Sequence, residues 1–371
     1  MSKYDVRKIF ADMELDLIKS MQRNLARHEA EEEELGFEWE QWQARKLQNL
    51  KQFRKQNKKI VEQRAPEVEK QVTGSIRSAF RNGAKKVADA AGKLWNKFGF
   101  GRREDLPRPK MQEDDDENFF KLNKRRVDAL TDASKGELRA AQHSMLRQAD
   151  DVYRQTIFKS QVYLNSGAAS LGQAIDMATR DFLDKGFDYV TYSNGRRINV
   201  ASYAEMALRT ASQRAVFSGE GAKRNELGIR TVVISAHNNC SKLCLPYQGK
   251  VFIDDVYSGG SAKDGDYPLL SKAMAGGLFH PNCRHNMATY IPGVSKLPAP
   301  VDDEVATANY QAEQRQRYME RQIRKYKRRE AGAVDPANKD AAAAKVKQWQ
   351  AEIRQHIANN DHLRRDRARE N

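Results

Sequence analysis

Apolar residues recur at three- and four-residue steps along much of the chain. Val6, Phe10, Met13, Leu17, Met21 and Leu25 fall on one stripe and predict a helix. Beyond the charge run Glu31 to Glu34 and Gly36, a second helical stripe follows with Trp39, Trp42, Leu47, Leu50, Phe53 and Ile60. Two such helices joined near a glycine read as an αα-hairpin. Ile76, Phe80, Val87, Leu94 and Trp95 mark a third helix. Each stripe is apolar on one side only, so each needs a partner surface, from another helix or from another protein. Residues 1–98 are therefore read as a helical arm. Gly99 to Asn118, with Gly101, Pro107, Pro109 and the acidic run Asp114 to Glu117, has little to bury and reads as a linker, 99–118.

From Phe119 the pattern changes. Met145, Ala149, Val152, Tyr153 and Ile157 predict a helix ending near Gly167, and a shorter one runs from about Leu171 to Leu183, stopped by Gly186. Tyr189 to Tyr192 and Arg197 to Val200 flank Asn194-Gly195, which supplies the positive φ angles of a type I′ hairpin turn. Ser202 and Glu205 have capping-box spacing, so Ser202 is expected to open a helix to about Phe217, closed by Gly219 and Gly221. Thr231 to Ser235 and Lys250 to Ile253 read as strands. Residues 119–295 thus form a compact α+β region with a small antiparallel sheet. Residues 296–371 return to polar helix, with Val346, Trp349, Ile353 and Ile357 on one narrow stripe and a frayed end after His362. The fold class is α+β, mainly helical.

Composition narrows the choices. Across 371 residues 31% are charged, and the mean hydropathy is -0.83, which suits long helices with narrow seams better than one globule. The formal charge of +15 points to an anionic partner, nucleic acid or an acidic protein surface. No run approaches a membrane span, and the first residues lack a signal peptide's apolar core, so no membrane partner is expected. A cytoplasmic origin with reduced thiols is expected. The three Cys lie in one short stretch, which suits a metal site or a buried cluster better than a disulfide framework.

That stretch reads His237-Asn-Asn-Cys240-Ser-Lys-Leu-Cys244, then His280-Pro-Asn-Cys283-Arg-His285. It offers more than the four N and S ligands tetrahedral zinc takes. The expected set for one structural Zn2+ is Cys240, Cys244 and Cys283, with His280 or His285 fourth; packing of free Cys as small hydrophobes is the alternative. The intervening Asp254, Asp255, Asp264 and Asp266 cannot be placed opposite the module, so no hydrolytic base is assigned and no catalytic residue is named. His285-Asn286 invites a His-Asn-His nuclease, but the order of elements is wrong for it. Glycine-rich pieces near Gly219 and Gly276 have neither P-loop nor dinucleotide spacing.

Several segments carry a resemblance. Asn194-Gly195-Arg196, Ser202 to Thr210, Gly219-Glu220-Gly221, Leu245 to Val251, Gly277 to His285 and Tyr290 to Gly293 occur in the order seen in tailed-phage minor capsid proteins. The chain resembles that family, which is related to Mu F-type head morphogenesis proteins. The resemblance implies a non-enzymatic structural component of the virion, inside the phage head, made in the host cytoplasm. It implies association with the portal and with capsid and scaffold components during head morphogenesis, and contact with packaged double-stranded DNA without reading its sequence, affecting genome ejection. On that reading Arg315, Arg317, Arg321, Arg324, Lys325, Lys327, Arg328 and Arg329 supply phosphate contacts. Because Mu F-type domains are sometimes fused to toxin domains, an ADP-ribosyltransferase-type effector or a metal-dependent nuclease carried in the head is the alternative from another class.

Overall fold

The structure, a computed structural model, describes residues 5–27, 39–98, 114–165, 170–191, 195, 197–281 and 283–371. Its helices are α1 (Asp5–Ala26), α2 (Trp39–Gln48), α3 (Leu50–Phe98), α4 (Asp114–Asn165), α5 (Leu171–Lys185), α6 (Val200–Glu226), α7 (Leu270–Ala275), α8 (Asp303–Gly332) and α9 (Pro336–Ala358). The strands are β1 (Asp188–Thr191), β2 (Arg197–Asn199), β3 (Thr231–Ile234), β4 (Val251–Ile253) and β5 (Met287–Thr289). Among the described residues the strands pair antiparallel, β1 with β2, and β4-β3-β5 in a three-stranded sheet; one isolated parallel bridge joins Ile253 to Leu269. The fold is mainly helical α+β.

By contact the chain divides into two units assembled from separated segments: Met1–Gln71, Lys135–Glu205 and Glu313–Asn371 in the first, Val72–Ser134 and Met206–Ala312 in the second. The four contiguous regions expected from composition are cut differently by this grouping. The acidic run at Asp114 falls within the start of α4, and the rest of the expected linker before it lies outside the described residues. The second and third expected helices largely merge, since α3 runs unbroken from Leu50 through Pro66 to Phe98.

In the first unit, α3 and α4 run antiparallel. Arg54 meets Asp150 at 2.7 Å and Arg139 meets Glu69, so residue numbers fall on one helix as they rise on the other. Just beyond the Arg54–Asp150 pair Phe53 stacks on Tyr153 with centroids 4.2 Å apart. Met21, Leu25, Trp42, Ile157 and Ile175 complete that core. Ser170 caps α5 by accepting from Gln173 N–H, and Gly186 ends it at φ 71°. A Cβ at Gly186 would sit 2.2 Å from Glu14 Oε1, the same buried oxygen that accepts from Phe187 N–H and Asn199 Nδ2. Asn199 in turn accepts from Ala201 N–H, so α6 opens at Val200 under an Asn199 cap and not at Ser202. Of the expected type I′ turn only Gly195 is described, at φ 77°.

The end of the chain is pinned, not frayed. Arg369 Nη2 meets Glu205 Oε1 at 2.5 Å, Arg365 meets Glu370 at 2.6 Å, and the carbonyl of Arg369 accepts from Arg7 and Arg324.

In the second unit, β3 is central and all four of its residues are buried. Val232 lies opposite Phe252 on one side and Thr289 on the other. Phe217, Val232, Ile234, Phe252, Leu270 and Met287 form the core around it. Gly219 and Gly221, expected to close α6, lie inside it. The reason is close approach: a Cβ at Gly219 would fall 2.2 Å from Phe80 O of α3, and one at Gly221 would overlap Tyr257. Here glycine permits contact between backbones instead of ending a helix.

Candidate metal centre

The Cys/His module belongs to the second unit, at one end of the three-stranded sheet. β3 leads into a loop carrying His237, Cys240 and Cys244, which returns through a short 3₁₀ turn, Leu245–Tyr247, to β4. Cys244 N–H donates to Ser241 O at 3.0 Å and Tyr247 N–H to Cys244 O at 3.0 Å, fixing the backbone that carries the sulfur. The second half precedes β5. Cys283 N–H donates to His280 O at 2.8 Å, closing the turn that carries both residues. Ser235 N–H then bonds Asn286 O at 2.8 Å and Gln213 Nε2 bonds His285 O at 2.8 Å, so His285 is held from the sheet and from α6.

Cys240, Cys244, Cys283 and His285 are all buried, and Ala306 packs against the sulfurs. Cys244 Sγ is 3.4 Å from Cys283 Sγ, which is 3.4 Å from His285 Nδ1. These three ligand atoms all lie within 4.8 Å of one another. Cys240 addresses the opposite ring nitrogen: its Sγ is 3.8 Å from His285 Nε2 and 3.2 Å from Ser241 O. His280 Nε2 is 2.9 Å from Ser241 Oγ, and His237 stacks on His285 with centroids 4.3 Å apart. All three cysteines are free thiols. Of the set expected from sequence, then, Cys244, Cys283 and His285 converge, His280 sits beside Cys244, and Cys240 lies on the far side of the imidazole.

The electrostatics separate the thiols. The hydrogen bond from Cys283 drives the Cys244 thiol well below its ordinary range against the opposing effect of burial, with His280 and His285 adding to the drop. The same bond, joined by burial, pushes Cys283 up. Burial raises Cys240 to about 12. His280 is raised because its hydrogen bond to Cys244 outweighs burial, while burial and the neighbouring His285 and Arg284 lower His237. Thiolate and imidazole at this spacing form a donor set for a soft or borderline divalent ion. The four aspartates between the halves take no part in it; Asp254 binds Arg224, Asp255 accepts from Ser271, and Asp264 accepts from Ser261.

Two residues that shape the module are not singled out as site residues by the sequence. Gln248 Oε1 bridges it, accepting from His237 N–H at 2.9 Å and facing His285 Nε2 at 3.1 Å. Ser241 holds His280. Both polar residues follow Cys240 closely, but only a fold places them.

The basic residues of α8 are largely committed within the first unit. Arg317 bridges Glu313 and Glu320, Lys325 and Arg329 bind Asp184, and Arg328 donates to the carbonyls of Leu183 and Asp184. Arg324 donates to Arg369 O, Lys327 to Asn371 Oδ1 at 2.5 Å, and Arg315 and Arg321 lie over the Tyr318 ring.

Comparison with known proteins sets this arrangement among phage structural proteins. A structural protein of Lactococcus phage LL-H is 28% identical over 227 residues, 59% of this chain and 61% of that protein. The chain thus spans less than two thirds of that relative. A structural protein of Lactococcus phage mv4 is 34% identical over 93 residues, 24% of this chain and 76% of its own length. The chain belongs to the family described as phage minor capsid protein 2, whose model matches residues 2–358. No solved structure matches it.

Proposed function

We propose that the protein is built into the phage head during assembly as a minor internal component, associated with the portal and lying against packaged DNA. The observation that carries this reading is the family match along residues 2–358. Narrow apolar stripes on long helices, and a formal charge of +15, are consistent with a protein that works beside other capsid proteins and a polyanion. Contact with DNA is through phosphates and indifferent to base sequence. Because the basic residues of α8 serve internal bonds, the contact falls to other cations. Lys51, Lys55 and Lys59, exposed at four-residue steps on α3, make one such stripe.

Mass spectrometry of purified proheads and mature virions should find the protein in both, and it should co-purify with the portal; absence from both particles would end the structural reading. For DNA, affinity should fall steeply between about 50 and 200 mM salt. Replacing Lys51, Lys55 and Lys59 by Gln should lower the slope of log K against log salt by roughly 0.9 for each phosphate no longer neutralised. An isotherm indifferent to salt would remove the phosphate contact.

A further inference from the structure

We infer that Cys244 Sγ, Cys283 Sγ, His285 Nδ1 and His280 Nε2 form a closed tetrahedral site for Zn2+, with Cys240 outside it. The site is independent of the capsid reading and rests on three observations.

The first is spacing. With Zn–S about 2.3 Å and Zn–N about 2.0 Å, tetrahedral geometry sets ligand atoms roughly 3.3 to 3.8 Å apart. The Cys244–Cys283 and Cys283–His285 separations, both 3.4 Å, need only a few tenths of an ångström of expansion. A disulfide would need the sulfurs at about 2.05 Å.

The second is the direction of the imidazole lone pairs. Gln248 Oε1 accepts from the His237 backbone N–H, a group that can only donate, and this fixes which end of the amide is oxygen. The same oxygen faces His285 Nε2 at 3.1 Å, so Nε2 carries the proton and the Nδ1 lone pair points at Cys283. His280 is set in the same way. Its Nδ1 lies 2.8 Å from the Pro281 carbonyl, which can only accept, so the lone pair is on Nε2. That nitrogen now receives the Ser241 hydroxyl at 2.9 Å and stands outside the group of three ligand atoms within 4.8 Å of one another, so the His280 turn closes on the ion as that bond gives way. Each histidine therefore donates its outer N–H to an oxygen and turns its inner nitrogen toward the thiols, the outer-shell arrangement typical of metal-bound histidine.

The third is charge. Two thiolates and two neutral imidazoles balance a divalent cation, so the occupied site can stay buried without a net charge. Binding releases to solvent the proton that Cys283 still shares with the Cys244 sulfur, and four protein ligands leave no position for water. The ion would tie the loop before β4 to the turn before β5 across a sequence separation of 39 residues. Cys240 is excluded because its sulfur faces the protonated Nε2 of His285.

The test uses the full chain purified under reducing conditions without chelator. Elemental analysis should find one zinc per chain. After chelation and refilling with Co2+, the spectrum should show tetrahedral d–d bands with thiolate-to-cobalt charge transfer. Cys240→Ser should keep both signals, whereas Cys283→Ser and His280→Ala should lose at least tenfold in metal affinity. Wild-type protein with less than about a tenth of an equivalent of zinc and no cobalt spectrum would overturn the site. So would a Cys240→Ser protein as depleted as Cys283→Ser, or a Cys244–Cys283 disulfide in protein kept reduced. If Cys283→Ser does not fold, the wild-type refilling and the Cys240→Ser measurement still decide.

Discussion

Asp254 is among the most heavily used carboxylates in the second unit. Its Oδ2 receives Arg224 Nη2 at 2.9 Å and the Ser258 hydroxyl, and its Oδ1 accepts from Tyr257 N–H at 2.8 Å. Arg224 and Asp254 are both fully buried, and Arg224 also reaches Glu220 at 3.4 Å, which Lys86 meets at 2.8 Å. A buried guanidinium is tolerable only while its partners remain, since water cannot replace them. Asp254→Ala should therefore cost about 3 kcal/mol, because it takes the shortest ion pair from Arg224 and leaves it in the core with the longer Glu220 contact. Replacing Arg224 and Asp254 together by apolar residues of similar volume should cost much less, since no charge is left unpaired between them. Urea unfolding of the two variants decides between a structural ion network and an incidental one. Equal losses for both would mean that packing, not charge, is what Asp254 contributes.

At the scale of elements, the second unit turns on the meeting of α3 and α6. A Cβ at Gly83 would fall 2.3 Å from Val216 O, and one at Gly219 would fall 2.2 Å from Phe80 O. Each helix thus offers a glycine to the other's backbone. Ala at either position should destabilise by about 1 to 3 kcal/mol through overpacking. Gly74 supplies the control, for it is also inside α3, with nothing within 4 Å of the place a methyl group would take. There Ala should stabilise by roughly 0.5 to 1 kcal/mol through helix propensity alone. Thermal unfolding should show opposite signs for Gly74→Ala and Gly219→Ala, and the same sign for both would refute the contact argument. This contrast also explains what could be read in the sequence. The buried run Thr231 to Ile234 and the mostly buried Val251 to Ile253 were legible as strands because β-branched and aromatic residues cluster there. The ends of α6 were not, since Gly219 has the same local chemistry whether it closes a helix or admits a neighbour. Likewise the Cys/His module was legible as a cluster, but its internal geometry was not. Whether Cys240 or His280 stands nearer Cys244 depends on side-chain direction, which Gln248 and Ser241 impose through hydrogen bonds that no spacing rule encodes.

Across the whole chain, the formal charge of +15 overstates the cations free for a partner, because many arginines are committed to long-range internal bonds. In the first unit, α1, α6, α8 and the last residues meet in one buried group. Arg7 Nη1 binds Glu205 Oε2 at 2.7 Å, Arg369 takes the other oxygen at 2.5 Å, and the Arg369 carbonyl accepts from Arg324 and, at 3.4 Å, from Arg7. These bonds join residues up to 362 apart in sequence, so they close the unit instead of decorating a helix. Deleting residues 366–371 takes the Arg369 guanidinium from Glu205, and leaves Arg324, itself buried, without the carbonyl that receives it. Two hydrogen bonds to charged groups at about 1.5 to 3 kcal/mol each set the expected loss at roughly 3 kcal/mol or more. Arg369→Ala should reproduce only the Glu205 share, because the backbone carbonyl at that position survives the substitution. Urea midpoints should therefore fall in the order full chain, Arg369→Ala, truncated chain. A truncated chain that unfolds at the midpoint of the full one would show that the last turn lies on the first unit without holding it, and that the buried arginines draw their stability from Glu205 and Glu14 instead.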